Sequence, residues 1–290
     1  MKLYISSSYS SKKYLTDILL ELIELRFKSI ELTGNIKYSE HIIELLLKFK
    51  EENDLDLILH NYFPFQREEF VLNLASRDPE IKLKTVKQIK YSIDLSKRLG
   101  KSIYSLHPGF KNDLLPKLRD LFFIKANNKF NRKKDFYQTL NSILDQEIDS
   151  DFKIAVENLH PKNSFEVYSF LCTPDDIDSF LIYFNEISNV GILLDMGHLN
   201  IAANMLNFGR CKMLDNLFGK YYKKIFEIHI SENDGTKDSH NISQVNSWQI
   251  EYLQGCKKYL KDVPLVLEWH NCASGEAFKR YEIIRNRLEE

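Results

Sequence analysis

Residues 190–200 read VGILLDMGHLN. A nearly continuous apolar run ends at Asp195, and His198 follows three positions later. Such a run suits a strand buried on both faces, as in a parallel sheet covered by helices. The polar residues begin where the strand should stop. The same sequence of events recurs along the chain: KLYIS from Lys2, SIELTG from Ser29, LDLILHN from Leu55, SIYSLHP from Ser102, KIAVENL from Lys153, KIFEIHIS from Lys224 and PLVLEWH from Pro264. With the run from Val190, these make eight strands.

The intervening segments change period. YLTDILLELIEL and EHIIELLLKFKEE place leucine and isoleucine at helical spacing with charges opposite, and TVKQIKYSIDLSKRLGK ends at Gly100, a helix C-cap signal. Eight alternating strand and helix patterns predict a closed barrel rather than an open sheet. The expected fold is α/β, a single (β/α)8 TIM barrel spanning residues 1–290, with no linker or repeat marking a second domain. The span from His107 to Glu157 exceeds one unit, so a lid insertion is expected around 110–135. There Phe122, Phe123 and Phe130 would cover a substrate. Lys125, Lys129, Arg132, Lys133 and Lys134 would either meet a phosphate or, the favoured reading for most of the lysines, form a solvated basic face.

Composition narrows the function. A net charge of -1 provides no global attraction to nucleic acid or an anionic membrane. The start, MKLYISSS, lacks the apolar run of a signal peptide, and no segment is long and apolar enough to span a bilayer. The four cysteines are scattered without a CxxC, which fits a reduced, cytoplasmic protein.

In such a barrel the strand ends converge on one mouth. His60, His107, Glu157, Asp195, His198, His229, Asp238, His240 and Glu268 all fall at or just past predicted strand ends. Glu157, Asp195, His229 and Glu268 offer one nitrogen and three carboxylates, a donor set for Mn²⁺, Mg²⁺, Zn²⁺ or Fe²⁺. The competing explanation is a buried ion-pair network. Asp195 and His198 sit three apart at a strand-to-loop turn, and Asp238 and His240 sit two apart, on one side of an extended backbone. Taken alone, DSH also suits a hydrated loop, and His60 and His107 also suit structural histidines. Trp269 reads as packing, and His270 as a pocket-lining residue.

These motifs resemble the xylose isomerase-like TIM-barrel superfamily, which includes sugar phosphate isomerases and epimerases and the endonuclease IV type of abasic-site endonuclease. The resemblance runs from KLYIS to LVLEWH and is carried by LILHNYFP, LNLASRDPEI, SLHPGF, AVENLHP, LLDMGHLN, EIHISENDGTKDSH and LVLEWH. It implies one to three divalent ions, with Zn²⁺ or Mn²⁺ first. In the endonuclease pattern, His60 and His107 would hold one metal with bridging Glu157. Asp195, His229 and Glu268 would complete a second, and His198, Asp238 and His240 would hold a third. In the epimerase branch, Glu157, Asp195, His229 and Glu268 would hold one metal, Glu157 and Glu268 would act as the proton-transfer pair, and His198 would contact substrate.

Two departures separate the branches. The segment between His229 and Asp238 is short, ISENDGTK, without the endonuclease's Gly-Ser-Arg element. After His240 the chain reads NISQVNSW rather than a glycine-rich stretch. The expected activity is therefore a metal-dependent sugar or sugar-phosphate isomerase or epimerase working through an enediolate, with a small sugar as partner. The alternatives are a phosphodiester-cleaving enzyme acting on DNA, favoured by LNLASRDPEI and SLHPG, and a binding barrel that has lost catalysis.

Overall fold

The eight apolar runs form eight strands: β1 (Lys2–Ser6), β2 (Ser29–Leu32), β3 (Asp56–Leu59), β4 (Ile103–Leu106), β5 (Lys153–Glu157), β6 (Val190–Asp195), β7 (Ile225–Ile230) and β8 (Pro264–Leu267). The structure is a computed structural model. It describes all residues except 35, 65–66, 69, 116–122, 125–131, 148–150, 163–167, 271–273 and 290. The strands hydrogen-bond in the order β3-β2-β1-β8-β7-β6-β5-β4, and every pairing is parallel. The ring closes through a bridge between His60 and Ser105, where the Asn61 N–H donates to the Ser105 carbonyl at 2.7 Å. This is the expected (β/α)8 barrel.

Nine α-helices occur among the described residues: α1 (Leu15–Glu24), α2 (Ile42–Asn53), α3 (Pro79–Arg98), α4 (Lys133–Glu147), α5 (Pro174–Tyr183), α6 (Met196–Leu206), α7 (Arg210–Lys220), α8 (Trp248–Gly255) and α9 (Ser274–Glu289). Helix α3 shows why the chain starts and stops where it does. Asp78 accepts the N–H groups of Glu80 and Ile81, Pro79 opens the first turn, and Gly100 turns left-handed at φ +72° just past the end. No helix among the described residues is long and apolar enough to cross a membrane.

Strand alternation divides the core. Leu3, Ile5, Leu57, Leu59, Leu265 and Leu267 join the large cluster packed under the helices, whereas Tyr4, Ile58 and Val266 fill a separate cluster inside the barrel. A register shift between Ile192 and Leu193 then sets Asp195 directly beside His229 on β7.

Of the expected lid, residues 116–122 and 125–131 lie outside the described residues, and with them Phe122, Phe130, Lys125 and Lys129. What is described is its base, with a short antiparallel ladder pairing 114–115 with 123–124. Asn73 anchors the entry: its side-chain oxygen accepts the N–H of Phe110 at 3.0 Å, and its amide donates to the Asn112 carbonyl. Arg132 differs from the expectation of a phosphate-meeting cation. It is buried and donates to the buried Asp113 carboxylate at 2.8 Å, so its charge is consumed internally. Lys133 lies over the Tyr137 ring, and Lys134 is exposed.

Candidate metal centre at the barrel mouth

All nine strand-end acids and imidazoles gather at the C-terminal mouth in one connected cluster. Glu157, the last residue of β5, is its hub. Its Oε2 lies 2.9 Å from His107 Nε2 and 3.4 Å from His60 Nε2, and its Oε1 lies 2.9 Å from His198 Nδ1. Asp238 Oδ2 lies 3.2 Å from His198 Nε2 and 2.9 Å from His240 Nε2. Glu268 Oε2 lies 3.4 Å from His240 Nδ1 and 3.2 Å from His229 Nδ1. Asp195 Oδ2 completes the circuit, 3.9 Å from His229 Nδ1 and 3.8 Å from His198 Nδ1.

Local backbone chemistry places these groups. Asp195 is the N-cap of α6, and its Oδ1 accepts the His198 N–H at 2.6 Å, so the turn that ends β6 also aims His198 inward. Gly197 keeps that turn clear, because a Cβ there would meet Ser231 Oγ at 2.6 Å and push the hydroxyl aside. Asn158 ties the ends of β5 and β6 together by accepting the Asp195 N–H at 2.8 Å and donating to its carbonyl at 2.9 Å. The loop after β7 folds back through a bridge between Glu232 and Asn241. His240 sits there at φ +44°, an uncommon conformation for a residue with a side chain, and its carbonyl accepts the His270 N–H.

Hydrogen bonds orient four imidazoles. His60 Nδ1 contacts Ser105 Oγ at 3.2 Å, His198 Nδ1 the Asn158 carbonyl at 3.0 Å, and His240 Nδ1 the Glu268 carbonyl at 3.2 Å. These contacts turn Nε2 of His60 toward Glu157 and Nε2 of His198 and His240 toward Asp238, while His198 Nδ1 also faces Glu157. His229 is reversed. Its Nε2 lies 2.7 Å from Glu31 Oε2 and 3.2 Å from Glu227 Oε1, which directs Nδ1 toward Asp195 and Glu268.

Burial and charge compete throughout the cluster. Burial opposes ionisation of Glu157, but His107 and His198 outweigh it and hold the carboxyl well below its ordinary range. Burial pushes Asp195 up to about 6 and His60 down to about 4. Burial likewise opposes charge on His198, yet Asp195, Asp238 and Glu157 keep it well above the usual imidazole value. His240 rises to about 9 despite burial, drawn up by Glu268 and Asp238. Glu268 falls to about 2 against burial, under the influence of His240 and His229.

The donor chemistry fits a divalent cation. Asp195 Oδ2 and Asp238 Oδ1 are buried without a hydrogen-bond partner, and Glu157 Oε2 meets only the His107 and His60 rings. An unsatisfied buried polar atom costs on the order of 1–3 kcal/mol, more when charged. Two such atoms at one mouth, beside a shared glutamate oxygen and imidazole nitrogens turned toward them, suit shared coordination. Converging groups among the described residues include Glu31, His60 and His229; His60, His107 and Glu157; Glu157, Asp195 and His198; His160, His198 and Asp238; and His240, Glu268 and His270.

Several of these neighbours were not singled out as ligands from the sequence. His160 follows Glu157 within AVENLHP, and its Nε2 lies 3.8 Å from Asp238 Oδ2. His270 stacks on His240 with ring centroids 4.0 Å apart. Glu227 precedes His229 by two strand positions, the spacing that puts both on one face, so that signal was available. Glu31 lay inside an apolar run and offered no comparable signal. Trp269 is fully buried and donates to Ser243 Oγ, in keeping with packing.

A parallel (β/α)8 barrel carrying histidines and carboxylates at its C-terminal mouth has the layout of a barrel enzyme. The chain belongs to the xylose isomerase-like TIM barrel family, whose model matches residues 20–267. Over its full length it is 27% identical to Uncharacterized protein MJ1311 of Methanocaldococcus jannaschii, covering 90% of that protein. Among solved structures it is similar to a D-tagatose 3-epimerase-like protein, with 25% identity, a TM-score of 0.71 and coverage of 100% of this chain and 97% of the other. It also shares its fold with endonuclease IV from Thermus thermophilus, with 15% identity, a TM-score of 0.59 and coverage of 100% and 99%.

Proposed function

We propose that this protein is a divalent-metal-dependent isomerase or epimerase of small sugars or sugar phosphates. The observation that carries the reading is the placement of Glu157 and Glu268. They enter the mouth from β5 and β8, with Asp195 and His229 between them on β6 and β7, and His229 Nδ1 lies 3.2 Å from Glu268 Oε2 and 3.9 Å from Asp195 Oδ2. Glu157, Asp195, His229 and Glu268 would hold the cation. When bound, Zn²⁺ or Mn²⁺ supplies polarisation of a substrate carbonyl and its neighbouring hydroxyl, which acidifies the adjacent C–H.

The protein's own groups do the rest. One glutamate would take the C–H proton to form an enediolate, and the other, first protonated by exchange with water or a substrate hydroxyl, would give that proton to the opposite face or the neighbouring carbon. His198, held by Asn158 and Asp195, would bond a substrate hydroxyl. The resemblance to a D-tagatose 3-epimerase-like protein supports this choice of substrate. The test incubates metal-loaded protein with ketoses, aldoses and their phosphates in D₂O and follows deuterium uptake by NMR. Uptake next to the carbonyl, abolished by Glu268→Gln, is the expected result.

A second reading rests on a different observation. The full set of nine is present, including His60 and His107 on one side of Glu157 and His198, Asp238 and His240 on the other. Several donor groups suit two or three cations, a layout used for phosphodiester cleavage. Robust incision of abasic duplex DNA without deuterium uptake would reverse the order of the two readings.

A further inference from the structure

Beneath the mouth, the barrel interior holds a second acidic layer that the reaction above does not use. Glu31 on β2 and Glu227 on β7 are both fully buried. Strands β1 and β8 separate β2 from β7 in the sheet, so the two side chains meet across the barrel interior rather than along a ladder. They converge on one atom, His229 Nε2, at 2.7 Å and 3.2 Å. Their other oxygens, Glu31 Oε1 and Glu227 Oε2, are buried and have no hydrogen-bond partner. No lysine or arginine among the described residues pairs with either glutamate. The nearby Tyr4 hydroxyl donates to Asp56 instead, at 2.7 Å.

The contrast with the other imidazoles is informative. His60, His198 and His240 set Nδ1 against a hydroxyl or a backbone carbonyl, and for His198 and His240 a carboxylate of the mouth itself lies beside the same nitrogen, Glu157 Oε1 at 2.9 Å and Glu268 Oε2 at 3.4 Å. His229 differs in that Nε2 meets two carboxyl groups from the layer below the mouth. A carboxylate accepting the distal N–H of a ligating imidazole fixes the ring and makes the opposite nitrogen a stronger donor. That opposite nitrogen, Nδ1, faces Glu268 at 3.2 Å and Asp195 at 3.9 Å.

We propose that Glu31 and Glu227 are a positioning dyad for His229, so that the central cation position, framed by Glu157, Asp195, His229 and Glu268, is the tightest in the mouth and is filled first. The dyad rests on the metal-centre reading for its consequence, but its hold on Nε2–H exists in the metal-free protein. Neither glutamate touches substrate. Their effect reaches the reaction through the orientation and donor strength of His229, with Glu31 also lying close to the His60 ring.

Two measurements test this. In chelated, ¹⁵N-histidine-labelled protein, the His229 Nε2–H should appear as a downfield, exchange-protected proton resonance. It should be lost in Glu31→Ala/Glu227→Ala and shifted but retained in the Glu→Gln versions, which keep the side-chain volume and an acceptor oxygen. In a Co²⁺ titration read by visible d–d absorption, the first equivalent should bind about 10–100-fold more weakly in the Ala variants, less so in the Gln variants, with an altered band envelope. Ser105→Ala, which removes the acceptor of His60, should leave the first equivalent unchanged. If wild-type protein takes up no Co²⁺, the metal-centre reading fails while the NMR result still judges the dyad. If Co²⁺ binds and neither its affinity, its spectrum nor the His229 resonance responds to Glu31 or Glu227, the dyad is overturned and the metal centre stands. Loss of one whole equivalent with the others unaltered would also overturn it, in favour of a cation held between the two glutamates.

Discussion

Replacing Asp195 by asparagine should stabilise the metal-free protein and weaken the metal-loaded one. Two features of Asp195 set this apart from a simple ligand deletion. Its Oδ1 caps α6 by accepting the His198 N–H, while its Oδ2 is buried without a hydrogen bond. Burial first, then repulsion from Glu157 and Glu268, pushes its pKa from 3.8 up to about 6 against the pull of His198 and His229. The folded carboxyl therefore binds its proton more tightly than the unfolded one. Its contribution to stability is fully present below about pH 4 and is lost as pH rises through about 6. A gap of roughly two pH units corresponds to roughly 3 kcal/mol against folding at neutral pH. Asparagine removes that charge and remains a good N-cap, so the cap's contribution of about 1 kcal/mol survives.

In EDTA-treated protein at about pH 7.5, the Asp195→Asn urea midpoint should exceed that of wild type, and the difference should close by about pH 4. Addition of Mn²⁺ or Zn²⁺ at about 100 times its Kd should stabilise wild type by about 2.7 kcal/mol. The variant, short of one anionic ligand, should gain little, and the order of midpoints should invert. A variant less stable than wild type when metal-free at neutral pH, or one stabilised by metal to the same extent, would refute the reasoning.

Glu268→Gln should keep the fold while lowering sugar C–H exchange by about 10²–10⁴-fold, measured by deuterium uptake against an unchanged circular dichroism spectrum. Gly197→Ala should cost about 1–3 kcal/mol, because the new Cβ would crowd Ser231 Oγ at 2.6 Å and Asp195 Oδ1 at 3.2 Å; thermal unfolding should show it, with a lower metal content from the displaced start of α6. Arg132→Ala should cost about 3–5 kcal/mol by leaving the buried Asp113 carboxylate unpaired, and Asp113→Asn in the same chain should recover part of the lost urea midpoint.

The sequence by itself determined the barrel and the cast of the mouth. Strands buried on both faces must be apolar nearly throughout, so LILH, AVE, GILLD and LVLE announce both the strand and the position where its polar tip leaves the core. The convergence of strand ends then places Glu157, Asp195, His229 and Glu268 together without further information, because barrel closure makes it a matter of topology. Tertiary structure alone decided how each group is used. Arg132 stands in a basic run, yet Asp113, nineteen residues earlier, takes its charge into a buried pair. The orientations of His60, His198 and His240 depend on a hydroxyl and two carbonyls from other segments, and those partners leave no mark in composition or spacing. Glu31 and His229 are 198 residues apart on strands that do not pair, and they meet only because a closed sheet turns opposite walls toward one interior. Periodicity reports which face of its own strand a residue occupies. What faces it across the barrel is set by strand stagger and closure, which no single segment encodes.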